Sequence, residues 1–135
     1  MTQGLLKQTD YELIGQKILN CAFEVHKNLG PGLLESVYEV CLLTELKNSN
    51  LSVKSQVELP VFYKGERLNK TFFIDILVED AIVIELKSVE VLLPVHEIQM
   101  LTYMKLGDFK LGFLLNFNES ILKNGIRRKV NNYYF

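Results

Sequence analysis

A chain of 135 residues, 48% of them hydrophobic, is long enough to bury a core and too apolar to stay disordered; it suits one domain over residues 1–135. A formal net charge of −1 excludes a global basic field for nucleic acid, while local basic patches stay open. Cys21 and Cys41 lack C-x-x-C spacing and read as small core residues of a reducing compartment. MTQGLLKQTD is not built as a signal peptide, and no stretch approaches the ~18 uncharged apolar residues of a membrane span, so a cytoplasmic protein without membrane contact is expected.

Thr9-Asp10-Tyr11-Glu12 has the T-x-x-E form of a capping box. Leu13, Ile14, Ile18, Ala22 (or Cys21), Val25 and Leu29 then recur at helical spacing, which predicts a helix from about Asp10 to Asn28, stopped by Gly30-Pro31-Gly32. A second helix is expected over about Leu33–Lys47, with Val37, Val40, Cys41 and Leu43–Leu46 as its buried stripe. Glu35 and Tyr38, three apart, share a face of it. Leu51–Tyr63 is β-rich, with Pro60 marking an edge or a bulge, and Lys64-Gly65-Glu66 is a hairpin turn signal.

Thr71–Val89 reads as two strands around a tight turn at Glu79-Asp80. Alternation puts Phe72, Ile74, Ile76 and Val78 on one face of the first strand, and Phe73, Asp75 and Leu77 on the other. In the second strand Ile82, Ile84 and Leu86 share a face, with Glu85 and Lys87 opposite. Pro94 opens a third helix to about Lys105, closed by Gly107. Lys110–Phe117 is a further apolar strand, and a short strand is expected after the Asn124-Gly125 turn. The order α-α-β-β-β-α-β describes an α/β fold with helices over a small mixed sheet.

The chemistry concentrates in the central hairpin. Asp75, Glu85 and Lys87 form D-x9-E-x-K, and charges inside an apolar hairpin are costly unless they pair or hold a metal. Two carboxylates and a strand carbonyl beside Glu85 suit a hard cation such as Mg²⁺, with Lys87 placed to orient a water or offset charge on phosphorus. The structural alternative is a strand salt bridge between Lys87 and a carboxylate. His96, Gln99 and Tyr103 share a face of the third helix, and Glu35 is a third carboxylate within reach of the patch. Taken alone, Gln99 and Tyr103 are better explained as a polar helix flank with one half-buried phenol, and Glu35 fits a macrodipole-favoured acid.

Gly32-Leu33-Leu34-Glu35-Ser36-Val37-Tyr38, within EVHKNLGPGLLESVYE, fits G-x-x-E-x-x-Y. The chain resembles the GxxExxY protein family, a branch of the PD-(D/E)xK nuclease superfamily. The motifs arrive in order from Ile14 to about Arg128: EVH with LGPG, then Glu35, Asp75, Glu85-Leu86-Lys87 and Gln99-x-x-x-Tyr103. The resemblance implies a restriction-endonuclease-like αβββαβ core. It implies Glu35, Asp75 and Glu85 as metal ligands for Mg²⁺ or Mn²⁺, Lys87 as catalytic lysine, and Gln99 and Tyr103 as a motif beside the site.

Other residues stay open at this stage. His26, the family's EVH histidine, either contacts phosphate or caps the LGPG loop. His96 either faces substrate or caps its helix, and Gln56 is either a neighbour of the site or exposed. Lys64, Arg67 and Lys70, and Arg127, Arg128 and Lys129, either track a phosphate backbone or form a solvated surface. Tyr133-Tyr134-Phe135 either packs on the domain or marks a partner surface such as a homodimer's. The first functional expectation is a metal-dependent nuclease acting on DNA ahead of RNA. The rivals are a nucleic-acid-binding or assembly module that keeps the fold without turnover, and a structural domain with a buried ion-pair network.

Overall fold

The structure is a computed structural model and describes residues 6–135. Helix α1 spans Gln8–Leu29 and α2 spans Glu35–Asn48. Strands β1 (Val53–Tyr63), β2 (Glu66–Val78) and β3 (Ile82–Lys87) follow, then α3 (Pro94–Gly107), β4 (Leu111–Asn116), a 3₁₀ turn (Leu122–Gly125) and β5 (Ile126–Val130). The five strands lie in sequence order, antiparallel except for the β3–β4 pair, which is parallel. A parallel neighbour needs a crossover, and α3 supplies it. The α/β, restriction-endonuclease-like architecture expected from the sequence is the one observed, and the segment after Asn124-Gly125 is indeed a strand.

The sheet separates two cores. On one face α1 and α2 pack against Ile76, Val78, Ile82, Ile84, Leu86, Phe113 and Leu115. On the other, Met100, Tyr103 and Met104 of α3 pack against Leu59, Ile74, Leu77, Val83 and Leu114. The α3 layer sits close: a Cβ on Gly112 of β4 would stand 2.8 Å from the Met104 sulfur. Both tight turns use left-handed backbone at two positions, Lys64-Gly65 and Glu79-Asp80, the primed geometry that matches strand twist. Pro60 lies on the edge strand beside a register shift, as its missing N–H requires.

Several sequence expectations need correction. Helix α1 starts at Gln8, where the Asp10 carboxylate accepts the Lys7 N–H at 2.8 Å; the Thr9–Glu12 box does not form. Its buried stripe is Tyr11, Gly15, Ile18, Cys21, Ala22 and Val25, and Leu13 is 67% exposed. Leu13 stands about 140° round the helix from Ile18, outside the buried arc. In α2 the buried residues are Tyr38, Leu42 and Leu46, while Val37 and Val40 face outward. Apolar residues surround this helix, so composition does not select the face. Of the C-terminal aromatics, Tyr133 and Phe135 pack on the domain, their rings 6.0 and 5.4 Å from that of Tyr11, while Tyr134 is 82% exposed.

The largest departure is in β2. Phe72 and Ile74 do not share a face with Ile76 and Val78. Ile74 joins the α3 core and Phe72 lies against Tyr103, whereas Ile76 and Val78 join the α1–α2 core. The alternation inverts at Asp75.

Candidate functional site

The inversion has a local cause. On one side of β2, Ser55 pairs with Ile76 and Val57 with Ile74, but Gln56 and Asp75 are skipped, and Gln56 has φ +50°. On the other side β2 pairs with β3 at Ile76–Ile84, Leu77–Val83 and Val78–Ile82, then stops. Asp75 and Glu85 stand where the next pair would form. Side chains replace the missing ladder bonds: the Asp75 amide donates to Glu85 Oε2 at 3.2 Å, and the Leu86 amide donates to Asp75 Oδ2 at 2.8 Å. The sheet therefore opens at this point, with two carboxylates clasped across the opening.

Glu35, Asp75, Glu85, Lys87, His96, Gln99 and Tyr103 line one cleft there, with Phe73, Met100 and Leu114 as its apolar wall. Glu85 is only 7% exposed. Burial pushes its carboxyl up to about 9, helped by hydrogen bonding and like charge from Asp75, against the backbone hydrogen bond and the attraction of Lys87. Tyr103 is raised by burial, then by the charges of Glu85 and Asp75. The strand salt bridge that was the structural alternative does not form: the ion pairs among the described residues do not include Lys87.

Loops hold the two ends of the cleft together. Tyr38 is fully buried, stacks on Phe117 at 4.7 Å, donates its hydroxyl to the Gly30 carbonyl at 2.5 Å and accepts the Leu33 amide at 3.2 Å. Ser88 donates to the Leu33 carbonyl at 2.6 Å, tying the start of α2, and so Glu35, to the residue after Lys87. Asn116, fully buried, accepts the Val89 amide at 3.0 Å and donates to the Val89 carbonyl at 2.9 Å. The tyrosine of G-x-x-E-x-x-Y is thus an anchor for the loop, and the glutamate is the residue it presents.

Glu39 was not singled out from the sequence, although its i+4 spacing from Glu35 was the available signal. Gln56 Nε2 lies 2.9 Å from Glu39 Oε1 and 3.4 Å from Asp75 Oδ1, bridging the two acids. Burial raises the Glu39 carboxyl, the Gln56 hydrogen bond opposes this, and the charges of Asp75 and Glu35 add to the rise. Gln56 is therefore a neighbour of the site. His96 lines the cleft and caps α3, its Nδ1 accepting the Leu93 amide at 3.0 Å.

Three expected substrate contacts lie elsewhere. His26 is not among the cleft residues; its Nε2 meets the Glu119 carbonyl at 2.7 Å and fastens the loop after β4. Arg127 points to α3, 3.7 Å from Glu97, where Lys129 also binds at 2.6 Å. Arg128 pairs with Glu12 of α1 at 3.3 Å and covers the Tyr133 ring. Both arginines serve packing between β5 and its flanking helices.

The donor set suits a hard divalent cation, since carboxylate oxygens dominate it and the cost of ionising Glu85 beside Asp75 is what a cation would remove. Assembly is incomplete, however. Among the described residues no three His, Cys, Asp or Glu side chains stand close enough to hold one ion together. Glu35 shares the cleft with the Asp75–Glu85 pair but does not close a three-carboxylate cage with it. The fit is thus with Asp75 and Glu85 as inner ligands, for an ion that keeps several waters.

A sequence profile of the PD-(D/E)XK nuclease superfamily matches residues 12–129, and the chain belongs to that superfamily. Its members typically use divalent metal ions. A solved structure titled "Crystal structure of SSO0001" is similar in fold, with a TM-score of 0.50 at 20% identity, covering 90% of this chain. This chain spans 59% of that protein's length. No curated protein sequence matches significantly. Among the described residues no helix is long and apolar enough to cross a membrane.

Proposed function

We propose that this chain, as a single domain of the GxxExxY branch, hydrolyses phosphodiester bonds in nucleic acid, DNA ahead of RNA, with Mg²⁺ or Mn²⁺. The observation that carries this reading is the Asp75–Glu85 clasp at the opening of the sheet, with the unpaired Lys87 amine on the same cleft wall. Asp75 and Glu85 would hold the ion, with Glu35 as a further carboxylate lining the same cleft. When bound, a divalent ion supplies charge neutralisation at the phosphate and a more acidic water.

The chain's own groups do the rest. Hydrolysis joins a water oxygen to phosphorus and breaks one ester P–O bond, and the departing oxygen takes a proton. The Lys87 ammonium offsets the charge that grows on the phosphoryl oxygens, or as free amine orients the attacking water. Gln99 offers amide donors, and the Tyr103 phenol, which burial makes harder still to ionise, offers one more. His96, fixed by its cap to Leu93, lines the same cleft.

The second reading, a binding or assembly module without turnover, draws on the incomplete carboxylate cage. The two are separated by incubating plasmid and single-stranded DNA with Mg²⁺ or Mn²⁺, using the wild-type chain, Asp75→Ala and Lys87→Ala. Cleavage lost in both variants supports hydrolysis at this site. Binding without cleavage supports the module, and cleavage retained by both variants removes the site assignment.

A further inference from the structure

The β1–β2 hairpin continues past the point where β3 leaves it, so its outer half, from about Gln56 to Asp75, stands as a two-stranded arm. Cross-strand partners share a face, and Glu58 pairs with Phe73, Pro60 with Thr71, and Phe62 with Arg67. The register shifts between Pro60 and Phe62, where four steps of β2 stand against two of β1; both counts are even, so alternation returns Phe62 and Arg67 to the side of Glu58 and Phe73. The opposite face packs Leu59 and Ile74 on α3. This one is open, with Phe73 and Phe62 exposed by 47% and 58%.

We propose that this face is a stacking platform for a single-stranded stretch of nucleic acid leading out of the cleft. The proposal rests on the reading of the cleft as a nucleic-acid site and names the form of its substrate. Continuity is the first argument, because Phe73 lines the cleft and also begins the exposed stripe. Spacing is the second: four strand residues separate the two aromatic positions, about 13 Å, several times the ~3.4 Å step of stacked bases, so each ring meets a different nucleotide of one strand.

Charge is the third argument. Arg67, beside Phe62, and Lys64 and Lys70 nearby take part in none of the ion pairs among the described residues, whereas Arg127, Arg128 and Lys129 are all paired. The cations of the arm are therefore free for phosphate, whereas those of β5 are not. Glu58, opposite Phe73, is the acid on this face, so phosphates follow the Arg67 side. A duplex keeps its base faces inside its own stack and would meet only the phosphate contacts; an unpaired strand can use rings and cations together.

Anisotropy of a labelled 20-nucleotide oligothymidine, against a duplex of equal length, tests this with the whole chain at one salt concentration in EDTA. The wild type should bind the single strand more tightly. Phe62→Leu, which keeps apolar bulk outside the cleft, should weaken it on the order of tenfold and leave duplex binding nearly unchanged, whereas Arg67→Ala should weaken strand and duplex alike. Equal binding of strand and duplex, or unaltered binding by folded variants, overturns the proposal. Arm-dependent binding without metal-dependent cleavage supports the arm while removing the hydrolase reading. Cleavage by a chain whose arm variants bind like wild type removes the arm alone.

Discussion

The Asp75 amide donates to the Glu85 carboxylate at 3.2 Å across the gap where their two strands stop pairing. The bond fixes the carboxylate of one strand by the backbone of the other. A second bond, from the Leu86 amide to Asp75, does the reverse. Each acid is thus positioned by the partner strand's main chain, and neither needs a cation to stay in place.

Glu85 should be protonated at neutral pH in the metal-free protein, because its carboxyl lies near 9 against an ordinary 4.5. The folded state then binds more protons than the unfolded state between these values. The contribution of Glu85 to stability should be fullest below about 4.5 and decline as pH rises towards 9. Carbon-detected NMR titration of the Glu85 carboxyl, beside urea unfolding across the same range, reads both. A Glu85 carboxyl titrating with ordinary glutamates contradicts the shared, buried pair.

Tyr38→Phe should keep the stack on Phe117 and lose both hydroxyl bonds to the Gly30–Leu33 loop. A loss of about 1–3 kcal/mol in unfolding free energy is expected. Nuclease activity, where present, should fall with it, because the start of α2 carries Glu35. Unfolding curves and turnover of the same preparation check the pair of effects.

Gln56→Gly should separate backbone strain from side-chain bridging. Glycine accepts φ near +50° freely, so stability should stay level or rise by up to about 1 kcal/mol despite the lost amide. The Glu39 carboxyl should move further up, since the hydrogen bond that opposed its rise is gone. An unmoved Glu39 titration would show that the Gln56 bridge carries no electrostatic weight.

The strand and helix order was legible because alternating and helical patterns are long and turn residues separate them. The Glu79-Asp80 turn and the β3 face of Ile82, Ile84 and Leu86 follow from local pattern alone. Asp75 broke the reading of β2, since a residue unpaired on both sides reverses the alternation and no local signal marks it. Arg127 and Arg128 looked free because their partners, Glu97 and Glu12, are remote in sequence. Glu39 and Asn116 could have been found: one repeats Glu35 at i+4, and the other is a polar residue ending a fully buried apolar strand.

Calorimetric titration of Mn²⁺ into the wild type, Asp75→Asn and Glu85→Gln in two buffers of different ionisation enthalpy tests the divalent-ion pocket most directly. The account predicts saturable binding by the wild type at pH 7, release of close to one proton as Glu85 ionises, and loss of binding in both folded variants. Undetectable binding by the wild type, or binding that both variants keep, would contradict it.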